Sequence, residues 1–179
     1  MDYLVYVLVV SIFILRLGFL KISKQNESLI LQNGGVEYGV KNTKMLTIAH
    51  ILFYLGCLIE AIMQKQVFDG VSLAGTFLIV FAFLMLYYIV NYLLKGIWTV
   101  KLMVANNHKY NPHWLFKVVK HPNYYLNILP ELIGLAMLCH AKVSFIVIMP
   151  IYLVILFIRI KEEDRVLKEI IIPNGVKTN

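Results

Sequence analysis

The feature that most constrains this chain is an apolar run from Val71 to Leu94 that contains no charged residue. A helix needs about 20 mostly apolar residues to cross the hydrocarbon core of a bilayer. Four more stretches qualify or nearly qualify, so the predicted spans are residues 3–20, 45–63, 71–94, 123–139 and 143–160. Because lipid offers no hydrogen-bond partners to an open backbone, we predict that these spans are helices.

The composition leads to the same class of protein. Hydrophobic residues make up 60% of the 179 residues and charged residues only 15%, whereas ordinary globular domains are about 45–50% apolar. A water-facing core of this size cannot enclose so much apolar surface. The sequence therefore predicts an all-α, polytopic membrane protein, with residues 1–179 as a single integral membrane domain. It excludes a soluble enzyme, a disordered chain and a nucleic-acid-binding module.

The orientation in the membrane is predicted from the basic residues. The first span follows Asp2 rather than a positive segment, which argues against a signal peptide, and Lys21 and Lys24 come after it. Lysine and arginine accumulate in cytoplasmic loops. We therefore predict an external N-terminus in a bacterial cytoplasmic membrane, or in the endoplasmic reticulum if the source is eukaryotic.

The remaining charges agree with this orientation. Five spans place residues 21–44, 95–122 and 161–179 inside, and these segments hold thirteen of the 17 Lys and Arg residues. The outer connections hold only Lys65 and Lys142. The net charge of +7 is thus explained by topology and by contact with anionic membrane lipid, with no nucleic-acid partner and with a cytosolic C-terminal segment.

A few ionisable residues lie within the apolar spans. Arg16 and Arg159 lie near predicted inner ends, where long basic side chains can reach the interface. Glu60 lies near the predicted outer face, which favours a paired structural group. Glu131 lies near mid-membrane after Pro130, where a proline bends a helix. Since an intramembrane carboxyl is also a candidate functional group, Glu131 is either part of a structural bend or a lining residue of a substrate pocket.

The sequence gives little indication of a metal site. His108, His113 and His121 share one inner loop, but their spacing matches no recognised zinc pattern and no thiolate or carboxylate lies between them. Cys57 and Cys139 both lie in apolar runs, where they indicate neither a disulfide framework nor a thiolate site. We predict no bound metal.

The densest group of polar residues comes from two segments, residues 120–125 and 159–165. The first opens the fourth predicted span and the second follows the fifth. Because only residues 140–142 join these spans, they should form an antiparallel hairpin whose inner ends meet. The polar residues of the two segments should therefore lie together at one membrane surface.

The residue types at this meeting point suit a zwitterionic ligand. Pro122 fits a first helical position, and the unpaired backbone N–H groups that begin a helix at Asn123 favour an anion. Glu162 and Glu163 can accept hydrogen bonds from a cation or from ribose hydroxyls, and Arg159 lies four residues before Glu163 on the same helical face. The alternative is a charged flank that simply ends a span.

At these residues the chain resembles the isoprenylcysteine carboxyl methyltransferase family of integral membrane enzymes. That family has an Arg-His-Pro-x-Tyr signature at the start of a membrane hairpin, which corresponds here to residues 120–124. Its Arg and following Glu-Glu pair correspond to Arg159 and to Glu162-Glu163, and a Trp-Thr pair corresponds to Trp98-Thr99. The resemblance covers about residues 85–170. The chain departs from the pattern at Lys120, which replaces the leading Arg, and at residues 126–127, which lack the usual glycine.

The resemblance implies that S-adenosylmethionine binds on the inner side, in a region formed by residues 95–122 and 159–170. Arg159 would orient the acceptor anion as the catalytic residue, and Trp98 and Glu131 are the predicted substrate-binding residues. The predicted cofactor-binding residues are Val118, Lys120, His121, Pro122, Tyr124, Glu162 and Glu163.

The implied reaction is methyl transfer to a carboxylate or acidic hydroxyl of a lipophilic acceptor. Such an acceptor is already ionised near pH 7, so positioning and water exclusion can supply most of the rate. Residues 35–42 are similar to a bacterial branch of the family that methylates alkylpyrones. A prenylated cysteine, an alkylpyrone or phenolic lipid and a phospholipid amine all remain open as acceptors. The alternatives are an NADPH-dependent reductase of the sterol-reductase type and a non-enzymatic helical membrane protein.

Overall fold

The protein is described here by a computed structural model that covers residues 3–106, 113–171 and 173. Three segments of π-helix extend or precede the regular helices, at Ile89–Leu93 after α3, at Asn123–Ile128 before α5 and at Leu167–Ile171 after α6. The regular elements are α1 (Leu4–Gln32), β1 (Val36–Tyr38), α2 (Val40–Met63), α3 (Gly70–Tyr88), β2 (Leu102–Val104), α4 (Trp114–Val118), α5 (Leu129–Cys139) and α6 (Lys142–Val166).

Four helices in the described part of the chain are long and apolar enough to cross a bilayer. They are α1, α2, α3 with its π-helical continuation, and α6 with its continuation. Their outward faces carry exposed Leu, Ile, Val and Phe side chains, which is the surface that lipid requires. These helices confirm the prediction of an all-α, polytopic membrane protein.

The fourth predicted span, residues 123–139, is helical throughout but differs from the other four. It consists of a six-residue π-helix followed by the eleven residues of α5. Most of α5 is buried, because this helix packs against α3 along most of its length. Pro130 lies at the junction, and the wider π-helical turns before it accommodate the missing backbone N–H.

The packing of α3 against α5 depends on two glycines. A Cβ atom on Gly75 would lie 2.5 Å from the Gly134 carbonyl oxygen, and one on Gly134 would lie 2.6 Å from the Gly75 carbonyl oxygen. Only the absence of side chains lets the two backbones approach this closely. Ser72 adds a hydrogen bond from its hydroxyl to the Leu138 carbonyl oxygen at 3.1 Å. This contact fixes the position of the whole 123–139 segment.

Helix α6 packs against α2 and is anchored at its start by Glu60. The Glu60 carboxylate accepts hydrogen bonds from the backbone N–H groups of Val143 at 3.0 Å and Ser144 at 2.5 Å. A carboxylate at the N-terminus of a helix satisfies free N–H groups and interacts favourably with the helix dipole. The contacts of Glu60 are therefore those of a paired structural group.

At the other end of the bundle, several helices are longer than their apolar runs. Helix α1 continues to Gln32, α2 already begins at Val40, and the helical stretch that starts with α6 reaches Ile171. A short antiparallel ribbon closes this end, with Val36 paired to Val104 and Tyr38 to Leu102. The hydropathy pattern does not predict this ribbon, since each strand has only three residues. These polar extensions and the ribbon surround the candidate site.

Candidate functional site

A cavity of about 490 Å³ lies among the polar extensions. Its walls come from the loop and strand at residues 97–103, from residues 120–124 at the entry to the second π-helix, and from residues 159–171, which include the end of α6 and the π-helix that continues it. Residues of two π-helical segments line it, and Leu94 at the end of the third does so too. π-Helical turns are frequent at functional sites, and ligand cavities typically measure roughly 300–1,000 Å³.

Four side chains along one wall form a continuous hydrogen-bond network. The Tyr124 hydroxyl donates to Glu163 Oε2 at 2.6 Å and accepts from Arg159 Nε at 3.2 Å. His121 Nδ1 lies 3.2 Å from Glu163 Oε1, and the His121 ring stacks on the ring of Tyr124. The structure thus brings together the two distant segments that the short hairpin connection was expected to join.

Both ring nitrogens of His121 face carboxylates. Its Nε2 lies 3.0 Å from Asp164 Oδ1, and Lys120 Nζ forms an ion pair with the same oxygen at 2.6 Å. Burial alone would lower the pKa of His121, but the hydrogen bonds and negative charges of Glu163 and Asp164 outweigh burial, so the pKa is raised. An ionised carboxylate only accepts hydrogen bonds. This arrangement therefore favours the doubly protonated imidazolium.

Arg159 is a buried cation whose hydrogen bonds go to neutral oxygens. Only 2% of the residue is exposed. Its guanidinium donates to Thr43 Oγ1 at 2.8 Å, to the Tyr124 hydroxyl and, at 3.5 Å, to the Val100 carbonyl oxygen. No carboxylate of the described residues forms an ion pair with it. Because a buried charge is costly without a counter-charge, Arg159 is suited to a bound anion.

Trp98 is held in the cavity wall by the extension of α1. Asn26 Nδ2 donates to the Trp98 carbonyl oxygen at 2.8 Å, and the Val100 backbone N–H donates to Ser23 Oγ at 2.9 Å. Trp98 is 3% exposed, and its indole Nε1 is buried without a hydrogen-bond partner among the described residues. An unsatisfied buried donor beside a cavity is what a ligand acceptor atom would satisfy.

Lys101 also lines the cavity, but carboxylates already surround its amino group. Its Nζ forms an ion pair with Glu27 and a second one with Glu37 Oε2 at 3.0 Å. The hydrogen bonds to Glu27 and Glu37 raise the pKa of Lys101. These ion pairs connect β1 to the extension of α1 and to the loop that carries Trp98, so they stabilise the wall of the cavity.

Two of the predicted cofactor-binding residues lie outside the cavity lining. Glu162 faces α2, where Asn42 Nδ2 donates to its Oε2 at 2.8 Å, and the absence of a Cβ atom on Gly39 leaves room for the Glu162 carboxylate. Consecutive helical residues point about 100° apart, so only Glu163 of the pair faces the cavity. Val118 is 72% exposed, because α4 turns its side chain outward. Lys120, His121, Pro122 and Tyr124 do line the cavity, as do Trp98 and Arg159.

Glu131 is fully buried between helices and does not line the cavity. It forms an ion pair with Arg16, whose Nε donates to Glu131 Oε1 at 2.6 Å, and it also accepts from the Tyr54 hydroxyl. The expectation that Arg16 reaches the membrane interface is therefore wrong, since its guanidinium turns inward to this carboxylate. Of the two interpretations of Glu131, the contacts favour the structural one over a substrate pocket.

Among the described residues, no group of three or more His, Cys, Asp or Glu side chains is placed to hold a metal ion. His113 caps the N-terminus of α4, where its Nδ1 accepts a hydrogen bond from the Leu115 backbone N–H at 3.2 Å. His108, the third histidine of the inner loop, lies outside the described residues. His50 stacks on Tyr54 and is not one of the residues that line the cavity.

Comparison with known proteins identifies the family. The model of the isoprenylcysteine carboxyl methyltransferase family matches residues 74–169. The chain belongs to this family. The matched region contains Trp98, the 120–124 segment, Arg159 and Glu163, so the network described above lies within the part that the family shares. The family is one of membrane methyltransferases, which generally use S-adenosylmethionine.

The relatives extend the similarity to most of the chain. An uncharacterized protein of Haemophilus influenzae is 45% identical over 150 residues, which are 84% of this chain and 87% of the relative. The uncharacterized protein YpbQ of Bacillus subtilis is 27% identical over 168 residues, which are 92% of this chain and 96% of that protein. No solved structure gives a significant match. The similarity thus extends well beyond the region that the family model matches.

Proposed function

We propose that this protein is an S-adenosylmethionine-dependent methyltransferase that methylates the carboxylate or acidic hydroxyl of a lipophilic acceptor at the cytosolic membrane face. The observation that carries the proposal is the network of Arg159, Tyr124, Glu163 and His121 along a cavity at the polar end of the helix bundle. Charged groups of both signs beside an apolar bundle suit a charged methyl donor and a lipid-soluble acceptor.

The chemistry of the lining supports S-adenosylmethionine as the cofactor. Glu163 offers a carboxylate to the amino group or the ribose, and the helical segment that begins at Asn123 offers backbone N–H groups to the cofactor carboxylate. The Trp98 indole N–H lacks a partner among the described residues, and a bound molecule would supply an acceptor for it. The cavity volume falls in the range of small-molecule sites.

The residues of this chain would act by positioning and by electrostatics. When bound, S-adenosylmethionine would supply an activated methyl group, and the ionised acceptor would need no strong general base. Arg159 would neutralise and orient the acceptor anion, while Thr43 and Tyr124 hold the guanidinium in place, and Glu163 in turn accepts from the Tyr124 hydroxyl. Exclusion of water and correct alignment contribute up to roughly 7–11 kcal/mol to such reactions. Prenylcysteine-like carboxylates and alkylpyrone or phenolic hydroxyls are acceptors of this class.

We place the cavity at the cytosolic face, with the N-terminus outside and the C-terminal segment in the cytosol. The proposal includes residues 1–179 as one methyltransferase domain, with the cofactor region at residues 95–122 and 159–170. The distribution of Lys and Arg supports this orientation, following the positive-inside rule.

The NADPH-dependent reductase alternative requires basic side chains for an additional phosphate. The cavity has three lysines, but Lys101 is ion-paired with two glutamates and Lys120 with Asp164. Besides the buried Arg159, only Lys168 remains among the basic residues of the lining. This distribution of charge favours the methyltransferase over the reductase.

The cofactor is tested by calorimetric titration of S-adenosylmethionine into the protein in lipid nanodiscs. The wild type should bind, and Glu163→Gln should weaken binding by about 10–100-fold, because a hydrogen bond to a charged group is worth about 1.5–3 kcal/mol. Glu162→Gln is the matched control, since its carboxylate faces Asn42 instead, and it should bind like the wild type. No binding by the wild type would reject the proposal.

The acceptor is sought with a cofactor that carries a radiolabelled methyl group. Incubation with whole-lipid extracts should transfer label to an organic-soluble product, which mass spectrometry then identifies. An ester or a methyl enol ether supports the oxyanion acceptor. Label on an amine would instead assign the enzyme to phospholipid N-methylation.

A further inference from the structure

Two asparagines connect the buried ion pair of Arg16 and Glu131 to the cavity. Asn127 is fully buried, and its Oδ1 accepts from an Arg16 guanidinium N–H at 3.2 Å. Asn127 Nδ2 donates to Asn123 Oδ1 at 3.1 Å. Asn123 lines the cavity. A chain of hydrogen bonds therefore runs from the first helix to the cavity wall.

The chemistry of these groups fixes the direction of each hydrogen bond. A guanidinium carries only donors, so the amide oxygen of Asn127 must face Arg16 and its NH₂ must face Asn123. The oxygen of Asn123 is thereby used as an acceptor within the protein. Within the described residues no acceptor takes the Asn123 NH₂ group, which leaves this donor for a ligand in the cavity that Asn123 lines.

Arg16 is itself held in one orientation. Glu131 pairs with the guanidinium and also accepts the Tyr54 hydroxyl, and the guanidinium lies 5.5 Å from the centre of the Phe83 ring. A buried pair of this kind does not reorient without losing its counter-charge. The orientation of the Asn127 amide, with its oxygen toward Arg16, is therefore kept throughout the life of the folded protein.

We propose that Asn123 binds the cofactor by donating a hydrogen bond to its carboxylate, and that Arg16 is a positioning residue that fixes this donor through Asn127. The inference rests on the proposed function and names one further contact in the same site. The carboxylate is the group selected, because Asn123 begins a helical segment where N–H groups and the dipole favour negative charge.

The first test compares two ligands on Asn123→Asp. Asp keeps the oxygen that accepts from Asn127 but replaces the NH₂ group with a second oxygen, which repels a carboxylate. Binding of S-adenosylmethionine should weaken at least about tenfold. Methylthioadenosine lacks the amino-acid group, and its affinity should stay within about threefold of wild type. Equal losses for both ligands, or no loss for either, would overturn the assignment of Asn123.

The second test removes the ion pair without leaving a charge behind. Arg16→Met with Glu131→Leu substitutes apolar side chains of similar size, a replacement that buried pairs often tolerate. It should weaken S-adenosylmethionine binding about fivefold in the native background. In an Asn123→Ala background the same pair of changes should alter binding less than about twofold, because no donor remains to be positioned. A purely structural effect would be equal in both backgrounds and would exclude Arg16 as a positioning residue.

The proposed function and the Asn123 contact can be rejected separately. Wild-type protein that does not bind S-adenosylmethionine rejects the proposed function together with this contact. Wild-type protein that binds, while Asn123→Asp binds equally well, rejects only the contact. Thermal unfolding of each variant in nanodiscs accompanies both titrations, and Asn123→Asp should unfold close to the wild-type temperature.

Discussion

Tyr124→Phe removes the one described hydroxyl that links Arg159 to Glu163. The substitution keeps the aromatic ring, and therefore the stacking on His121, but removes a donor to Glu163 and an acceptor from Arg159. Both lost hydrogen bonds involve a charged partner, and such bonds are worth about 1.5–3 kcal/mol each. Since Glu163 keeps His121 and Arg159 keeps Thr43, we expect the lower end of the sum.

The expected loss is about 3 kcal/mol in the free energy of unfolding, or about two orders of magnitude in the folded-to-unfolded ratio. It can be measured by equilibrium unfolding in mixed micelles with increasing SDS. The neighbouring Tyr125→Phe is the matched control, because that side chain is 48% exposed, and surface changes usually stay within about 0.5 kcal/mol. Equal effects of the two substitutions would refute the role of the Tyr124 hydroxyl as a bridge.

Three further predictions follow from named contacts. The free energy of unfolding should fall as pH rises from about 6, because the folded-state pKa of His121 is raised above its unfolded value near 6.5. The ion pairs of His121 with Glu163 and Asp164 are lost as the imidazolium deprotonates. In His121→Gln, the free energy of unfolding measured against pH should lose this dependence. Arg159→Ala should lower methyl transfer more than cofactor affinity, and equal losses in the two assays would reassign the residue to cofactor binding. Gly134→Ala should lower the free energy of unfolding by about 1–3 kcal/mol, because the added methyl group forces α3 and α5 apart. Gly18→Ala is the control. Its added methyl group meets no atom within 4 Å, so the free energy of unfolding should stay the same or rise slightly.

The sequence predicted the membrane class and the meeting of His121 with Glu163. Both follow from strong, local signals. Apolar runs long enough to span a bilayer have few alternative explanations, and two spans joined by only three residues must run antiparallel with their far ends close together. The sequence did not show which of Glu162 and Glu163 faces the cavity, because that depends on the rotation of α6 about its axis. The rotation is set by packing against α2, which no local pattern specifies.

The partners of the buried charged residues could not be predicted from the sequence for the same reason. Arg16 pairs with Glu131 across 115 positions of sequence, and Thr43 contacts Arg159 across 116. For each of these residues, the neighbouring sequence of its own helix does not indicate the partner. The one available signal was the presence of two isolated, opposite charges in apolar spans, because such charges are costly unless they are paired.

The anchoring of the Trp98 loop by Ser23 and Asn26 has a practical consequence for chimeric enzymes. These two residues belong to α1, outside the region 74–169 that the family model matches. Transplanting only the matched region onto a foreign pair of leading helices would carry over the motif but not the side chains that hold one wall in place. Swaps between relatives should therefore exchange the leading helices and the motif region as one piece.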